Sequence, residues 1–317
     1  MRNSKLTPVI LLLPLMAVTL TVIIACVNVL LQSLGYVPAF GLTKITLGYY
    51  REVFKRPEFL SALWVSLRIA FVSALLAAAL GTLLCAALVK RRAGSGMLYT
   101  VRFPILVPHT VVALFIMTLL GQTGIVARAA YGLGLMADCS QFPQLLFTPD
   151  YGGAIAGYLW KEIPFVAYYT LALMASVSDT LGEAAENLGA SPLRRFFSVT
   201  LPMSLPAVSK AALIIFIYAF GGYELPALLG STLPKALPVQ AYITYCSPDL
   251  LQRPLAMAMF GVILMLSVLM AALYSLGIRR LIMLMYGKEA SNRKQEIDRQ
   301  HYTIPNQRPK DKHCGKI

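Results

Sequence analysis

Glu183-Ala-Ala-Glu-Asn-Leu-Gly-Ala-Ser-Pro-Leu-Arg-Arg-Phe-Phe-Ser-Val-Thr-Leu-Pro-Met-Ser-Leu-Pro206 is a polar and semi-polar island between two long apolar runs. It carries its own helix signals. Thr180 and Glu183 have the Ser/Thr-x-x-Glu spacing of a capping box, which predicts a short helix from Leu181. Gly189 can take the left-handed conformation that ends it. Ser191-Pro192 restarts a helix, with Ser as N-cap and Pro at the first helical position. Leu201-Pro202 is expected to stop the second helix. The prediction is a bent pair of short helices that offers Leu181, Ala184, Ala185, Leu188, Leu193 and Phe196 as apolar contacts.

The flanks of this island set the fold class. Of 317 residues, 57% are hydrophobic and 13% charged, against about 25% charged in an ordinary soluble domain. Six apolar segments emerge, at about 9–31, 60–88, 104–121, 152–176, 208–230 and 255–278. Each approaches the ~20 helical residues that cross a hydrocarbon core, and none shows strand periodicity. The expectation is an all-α polytopic membrane protein of six transmembrane helices. The first segment exceeds the apolar stretch of a signal peptide and is read as a retained span.

Lysine and arginine fix the orientation. An N-terminus inside the cell puts nineteen of the 28 basic residues on the cytoplasmic side and seven outside, so N-in/C-in wins. Ten of the 28 lie from Arg279 onward, directly after the sixth apolar segment ends at Ile278. That placement suits a juxtamembrane cytoplasmic tail, and no run alternates basic with aromatic residues as a nucleic-acid groove would. Residues 281–317 lack apolar periodicity and are expected to be disordered.

The residues Glu183, Ala184, Ala185, Gly189, Leu201, Pro202 and Pro206 resemble, in order and spacing, the EAA loop of permease subunits of bacterial ABC importers. The likeness extends in weaker form over about 60–280. It implies a type I permease fold in the bacterial inner membrane, with residues 1–59 as a first span and outer interfacial segment, 60–280 as the core, and 177–207 as a cytoplasmic coupling loop. By the same resemblance, Glu183, Ala184, Ala185, Leu188, Gly189, Ala190, Phe196, Leu201 and Pro202 would seat in a dimer of ATP-binding subunits. A second permease, identical or not, would complete the path, and an extracytoplasmic solute-binding protein would deliver cargo. ATP and Mg would belong to the ATPase, with no cofactor, metal or nucleic acid in this chain. Phe103–Pro108 and Tyr223–Gly230 look like the spermidine/putrescine branch; neighbouring branches serve ferric iron, sulfate or molybdate, and thiamine.

No catalytic constellation is present: there is no G-x-x-x-x-G-K-[ST] loop and no H-E-x-x-H. His109, after Pro108, reads as a packing or capping residue. Charges inside spans are functional candidates because they are costly there. Arg68 is expected to snorkel to the interface. Lys161 and Glu162, beside Trp160, are expected on different faces of their helix. Glu224 is the sharpest candidate, because Gly221, Gly222 and Pro226 interrupt the fifth span around it and broken helices at membrane depth line cavities or lie within protein. An acid there attracts a cation, to which Tyr223 or Trp160 could add cation–π contact. The second span has small residues at four-residue steps, Ala70, Ala74, Ala78 and Thr82, with Ser73, Ala77 and Gly81 one register over, which predicts close helix packing within the subunit. Cys139 and Cys246 fall in outer loops where a disulfide could persist. A secondary transporter and a membrane scaffold are the readings from other classes.

Overall fold

In the computed structural model the described backbone covers residues 7–136, 138 and 141–302, with side chains described from 11 to 277 within that range. Among the described residues the regular structure is all helical, joined by turns and loops, apart from one isolated bridge between Val37 and Leu42. The helices are α1 (Thr7–Ser33), α2 (Gly48–Lys55), α3 (Pro57–Lys90), α4 (Ser95–Leu106), α5 (His109–Leu120), α6 (Ile125–Gly132), α7 (Gly152–Val177), α8 (Glu183–Asn187), α9 (Pro192–Arg195), α10 (Leu201–Gly221), α11 (Glu224–Leu229), α12 (Leu237–Tyr245) and α13 (Arg253–Tyr302). The chain divides into two units, Met1–Met270 and Ala271–Ile317.

The centre of the first unit is α3 packed on α7, with α10 against both. The small-residue face of α3 makes this possible. Ala70, Ser73, Ala74, Ala77, Gly81 and Thr82 are all buried. A Cβ at Gly81 would lie 2.6 Å from Val166 Cβ and 2.7 Å from the Ile163 carbonyl, so the two helices meet backbone to backbone at a distance only glycine allows. The packing is within the subunit, as the spacing predicts. A second apolar cluster joins Val53 of α2, Phe59 of α3, Leu237 of α12 and Met259 of α13. A third joins Cys85 and Leu88 of α3 to Ala167 and Met174 of α7.

Among the described residues, five helical stretches are long and apolar enough to cross a membrane: Leu11–Ser33, Pro57–Lys90, His109–Gly132, Pro192–Gly221 and Leu250–Gly277. The remaining expected span, 152–176, coincides with α7, which has 26 residues but falls short in hydropathy because Lys161 and Glu162 sit in its middle. Two other boundaries differ from expectation. The segment 104–121 is broken, since Val107 is extended and Pro108 starts α5 afresh, as the residue before a proline favours. The fifth span begins at Leu201 rather than 208, and it breaks at Gly222 as the glycine pair predicts.

Arg68 reaches toward the end of its span. It donates to the Pro149 carbonyl at 2.8 Å and ties α3 to the loop before α7. The expected disorder from 281 also differs, for α13 has helical backbone to Tyr302; Ala, Glu, Lys, Arg and Gln are good helix formers and no proline intervenes before Pro305. Residues 303–317 lie outside the described residues. So does Cys139, and with it the question of a bridge to Cys246, which is an exposed thiol.

Candidate functional site

Two helix breaks face one another inside the first unit, and a cluster of polar side chains joins them. Lys161 and Glu162 on α7 are 8% and 9% exposed. Both are buried, so both of these neighbouring positions on α7 face protein. Lys161 Nζ donates to the Val107 carbonyl at the α4–α5 break, 2.7 Å away, and stands 3.3 Å from His109 Nδ1. The Tyr218 hydroxyl of α10 is 3.0 Å from the same Nδ1. His109 Nε2 is buried without a hydrogen-bond partner and lies 4.0 Å from Glu162 Oε1. Glu224, at the start of α11, is near enough to act electrostatically on His109 and Lys161.

The backbone breaks position these groups. Gly222 has φ −69° and ψ 131°, values open to any residue, so its value is steric. A Cβ there would overlap the hydroxyl of the fully buried Tyr158. The missing side chain lets Tyr158 fill the gap left where α10 stops. Trp160 and Tyr223 sit apart from the cluster's hydrogen bonds. Trp160 packs on Phe115, with ring centroids 5.3 Å apart, and Tyr223 packs on Tyr242 at 4.8 Å. His109, read from the sequence as a packing or capping residue, joins the polar cluster instead, as do Tyr158 and Tyr218, which the sequence did not single out. The one available signal is a histidine directly after a proline that breaks an apolar run.

At the other end of α7 lies the loop that contains Glu183–Pro206. The capping box does not form. Thr180 Oγ1 instead donates to the Ser176 carbonyl at 2.8 Å, and a π-helical turn, Ser178–Gly182, carries α7 directly into α8. Gly189 does end α8, with φ +81°. Its amide bonds to the Glu186 carbonyl at 2.8 Å and the Ala190 amide to the Ala185 carbonyl at 3.0 Å, which is the Schellman pairing. Ser191 caps α9 by accepting from the Arg194 amide at 3.4 Å, with Pro192 next. Leu201-Pro202 does not stop the helix. A second π-helical turn, Phe196–Thr200, runs into α10, and the wider turn accommodates a proline ring that would clash in a regular α-helix.

Arg195 pairs with Glu186 across the bend. Leu188 is 89% and Leu193 73% exposed. Glu183, Ala184, Gly189 and Pro202 are exposed as well, while Ala185, Ala190 and Leu201 are half-buried. Phe196 departs from its expected docking role. It turns inward against the cluster of Cys85, Leu88, Ala167 and Met174, and Phe197 is the exposed ring.

Residues 79–282 match the family described as binding-protein-dependent transport system inner membrane component. The putrescine transport system permease protein PotI of Escherichia coli (strain K12) is 25% identical over 197 residues, which cover 61% of this chain and 64% of PotI. The match thus spans less than two thirds of that relative. The sn-glycerol-3-phosphate transport system permease protein UgpA of Pectobacterium atrosepticum is 29% identical over 231 residues, 69% of this chain and 74% of UgpA. The molybdenum transport system permease protein ModB of Haemophilus influenzae is 24% identical over 169 residues, 52% of this chain and 70% of ModB. Among solved structures, a chain of a bacterial ABC transporter involved in import of the acidic polysaccharide alginate superposes with a TM-score of 0.63 at 20% identity, covering 84% of this chain and 96% of that one.

Proposed function

This chain belongs to the family of binding-protein-dependent transport system inner membrane components, and on that premise we propose that it is the permease subunit of an ATP-driven importer. It forms half of a translocation path, with α7 as a sixth span between its five more apolar neighbours. A second permease supplies the other half, a pair of ATPase subunits binds the loop around Gly189, and a solute-binding protein delivers cargo from outside. The observation that carries this reading is the braced loop at Glu183–Thr200, which holds two leucines, Leu188 and Leu193, out into the surroundings. Closure of the ATPase pair moves the loop, and α7 and α10, which run into it without a break, convey the movement to the polar cluster. The states are then biased by ATP and by the loaded binding protein.

Gly189→Asp tests the coupling. The variant is expected to insert normally and to lose ATPase association and uptake. Undiminished uptake would sink the reading, and would favour a scaffold or secondary transporter. For cargo we favour a polyamine, spermidine or putrescine, because Glu162 and Glu224 outnumber Lys161 in the cluster and because PotI is a putrescine permease by name. Relatives named for molybdenum and glycerol phosphate make the binding protein the decisive reagent. Calorimetry of the cognate binding protein with polyamines, ferric iron and oxyanions is expected to give saturable heat with polyamines alone.

A further inference from the structure

We propose that the Val107 carbonyl and His109, with Glu162 beside the ring, form a binding site for a primary ammonium group, filled in this conformation by Lys161 and available to the ammonium of a cargo once Lys161 withdraws. The use by cargo rests on the importer reading; the site itself does not.

The donors and acceptors argue for it. An ammonium has three N–H groups and no acceptor, so it needs oxygen or unprotonated nitrogen around it. Lys161 finds both, in the Val107 carbonyl at 2.7 Å and His109 Nδ1 at 3.3 Å. Accepting at Nδ1 places the ring proton of His109 on Nε2, which faces Glu162 Oε1 at 4.0 Å with no hydrogen bond made. The ring thus keeps one hydrogen-bonding position unused beside Glu162. Glu162 Oε1, 4.0 Å from His109 Nε2, adds a carboxylate beside the ring that accepts from Lys161. The Val107 carbonyl is offered by a helix break, and breaks at membrane depth persist where they line a cavity or are buried in protein. Lys161 hangs on a flexible four-carbon stem, so it can leave without the backbone moving.

Chemical rescue separates a site from a structural lysine. Lys161→Ala is measured in lipid nanodiscs, using the full chain with the subunits that co-purify. It is expected to lower Tm by on the order of 5 °C, and millimolar ethylammonium is expected to recover most of that loss. Tetramethylammonium, which has the charge but no N–H, is expected to recover none. Equal recovery with both ions, or recovery with neither, overturns the site. Should the variant not accumulate, its yield with ethylammonium in the growth medium is the readout, and an unchanged yield overturns the site. In reconstituted vesicles the same variant is expected to lower the KM for putrescine by roughly three- to tenfold, since an occupied site reduces apparent affinity by the fraction of time it stands open. An unchanged KM overturns the use by cargo. Wild-type vesicles that take up no putrescine sink the polyamine reading alone, because the ethylammonium measurement needs no transport.

Discussion

Gly222→Ala isolates what a single missing carbon does for the polar cluster. The backbone there is open to alanine, so no conformational strain enters. The added methyl overlaps the Tyr158 hydroxyl and lies 3.2 Å from the Tyr218 carbonyl. Tyr158 is 1% exposed and has no free space to swing into. Overpacking of this kind costs about 1–3 kcal/mol, and at roughly 2–4 °C per kcal/mol for a body of this size the expected fall in Tm is about 2–12 °C. Thermal unfolding in nanodiscs measures it. Tyr158→Phe removes the atom that the methyl meets, so Gly222→Ala is expected to cost much less in that background, with a coupling energy of about 1 kcal/mol or more. Equal cost in both backgrounds would refute the steric account of Gly222.

Three further outcomes follow from the geometry. Gly81→Leu drives a side chain into Val166 and the Ile163 carbonyl, and is expected to prevent accumulation of folded protein, read as loss of the monodisperse peak in size-exclusion chromatography. Ser66→Ala leaves the Leu237 amide, which donates to Ser66 Oγ at 2.8 Å, buried and unpaired; a loss of about 1–3 kcal/mol is expected in thermal unfolding. Arg195→Ala removes the exposed pair with Glu186, which is expected to change stability by less than about 1 kcal/mol while lowering ATP-dependent uptake in vesicles.

The legible parts of the sequence are those decided over a few residues. Gly189, Ser191 and Pro192 act through hydrogen bonds within one turn, and the structure uses them as their types suggest. The small-residue face of α3 is legible too, since a four-residue step is a property of one helix. Thr180–Glu183 and Leu201-Pro202 mislead because packing of α7 and α10 extends both helices through π-helical turns, overriding the local stop signals. The cluster is half legible. Lys161, Glu162 and Glu224 stand out as charges in apolar runs, whereas His109 gains its meaning from Lys161, 52 residues away, and from Tyr218, 109 residues away. No local pattern carries such separations.

The polarity of α7 also bears on how the chain is made. A helix with Lys161 and Glu162 at its middle partitions into lipid at a cost that its remaining apolar residues offset poorly. Its nearest partners, the Val107 carbonyl and His109, leave the ribosome before it does. The order of synthesis thus lets α7 enter the bilayer already paired with α5, as a hairpin rather than as a lone helix, and Tyr218 joins only when α10 follows.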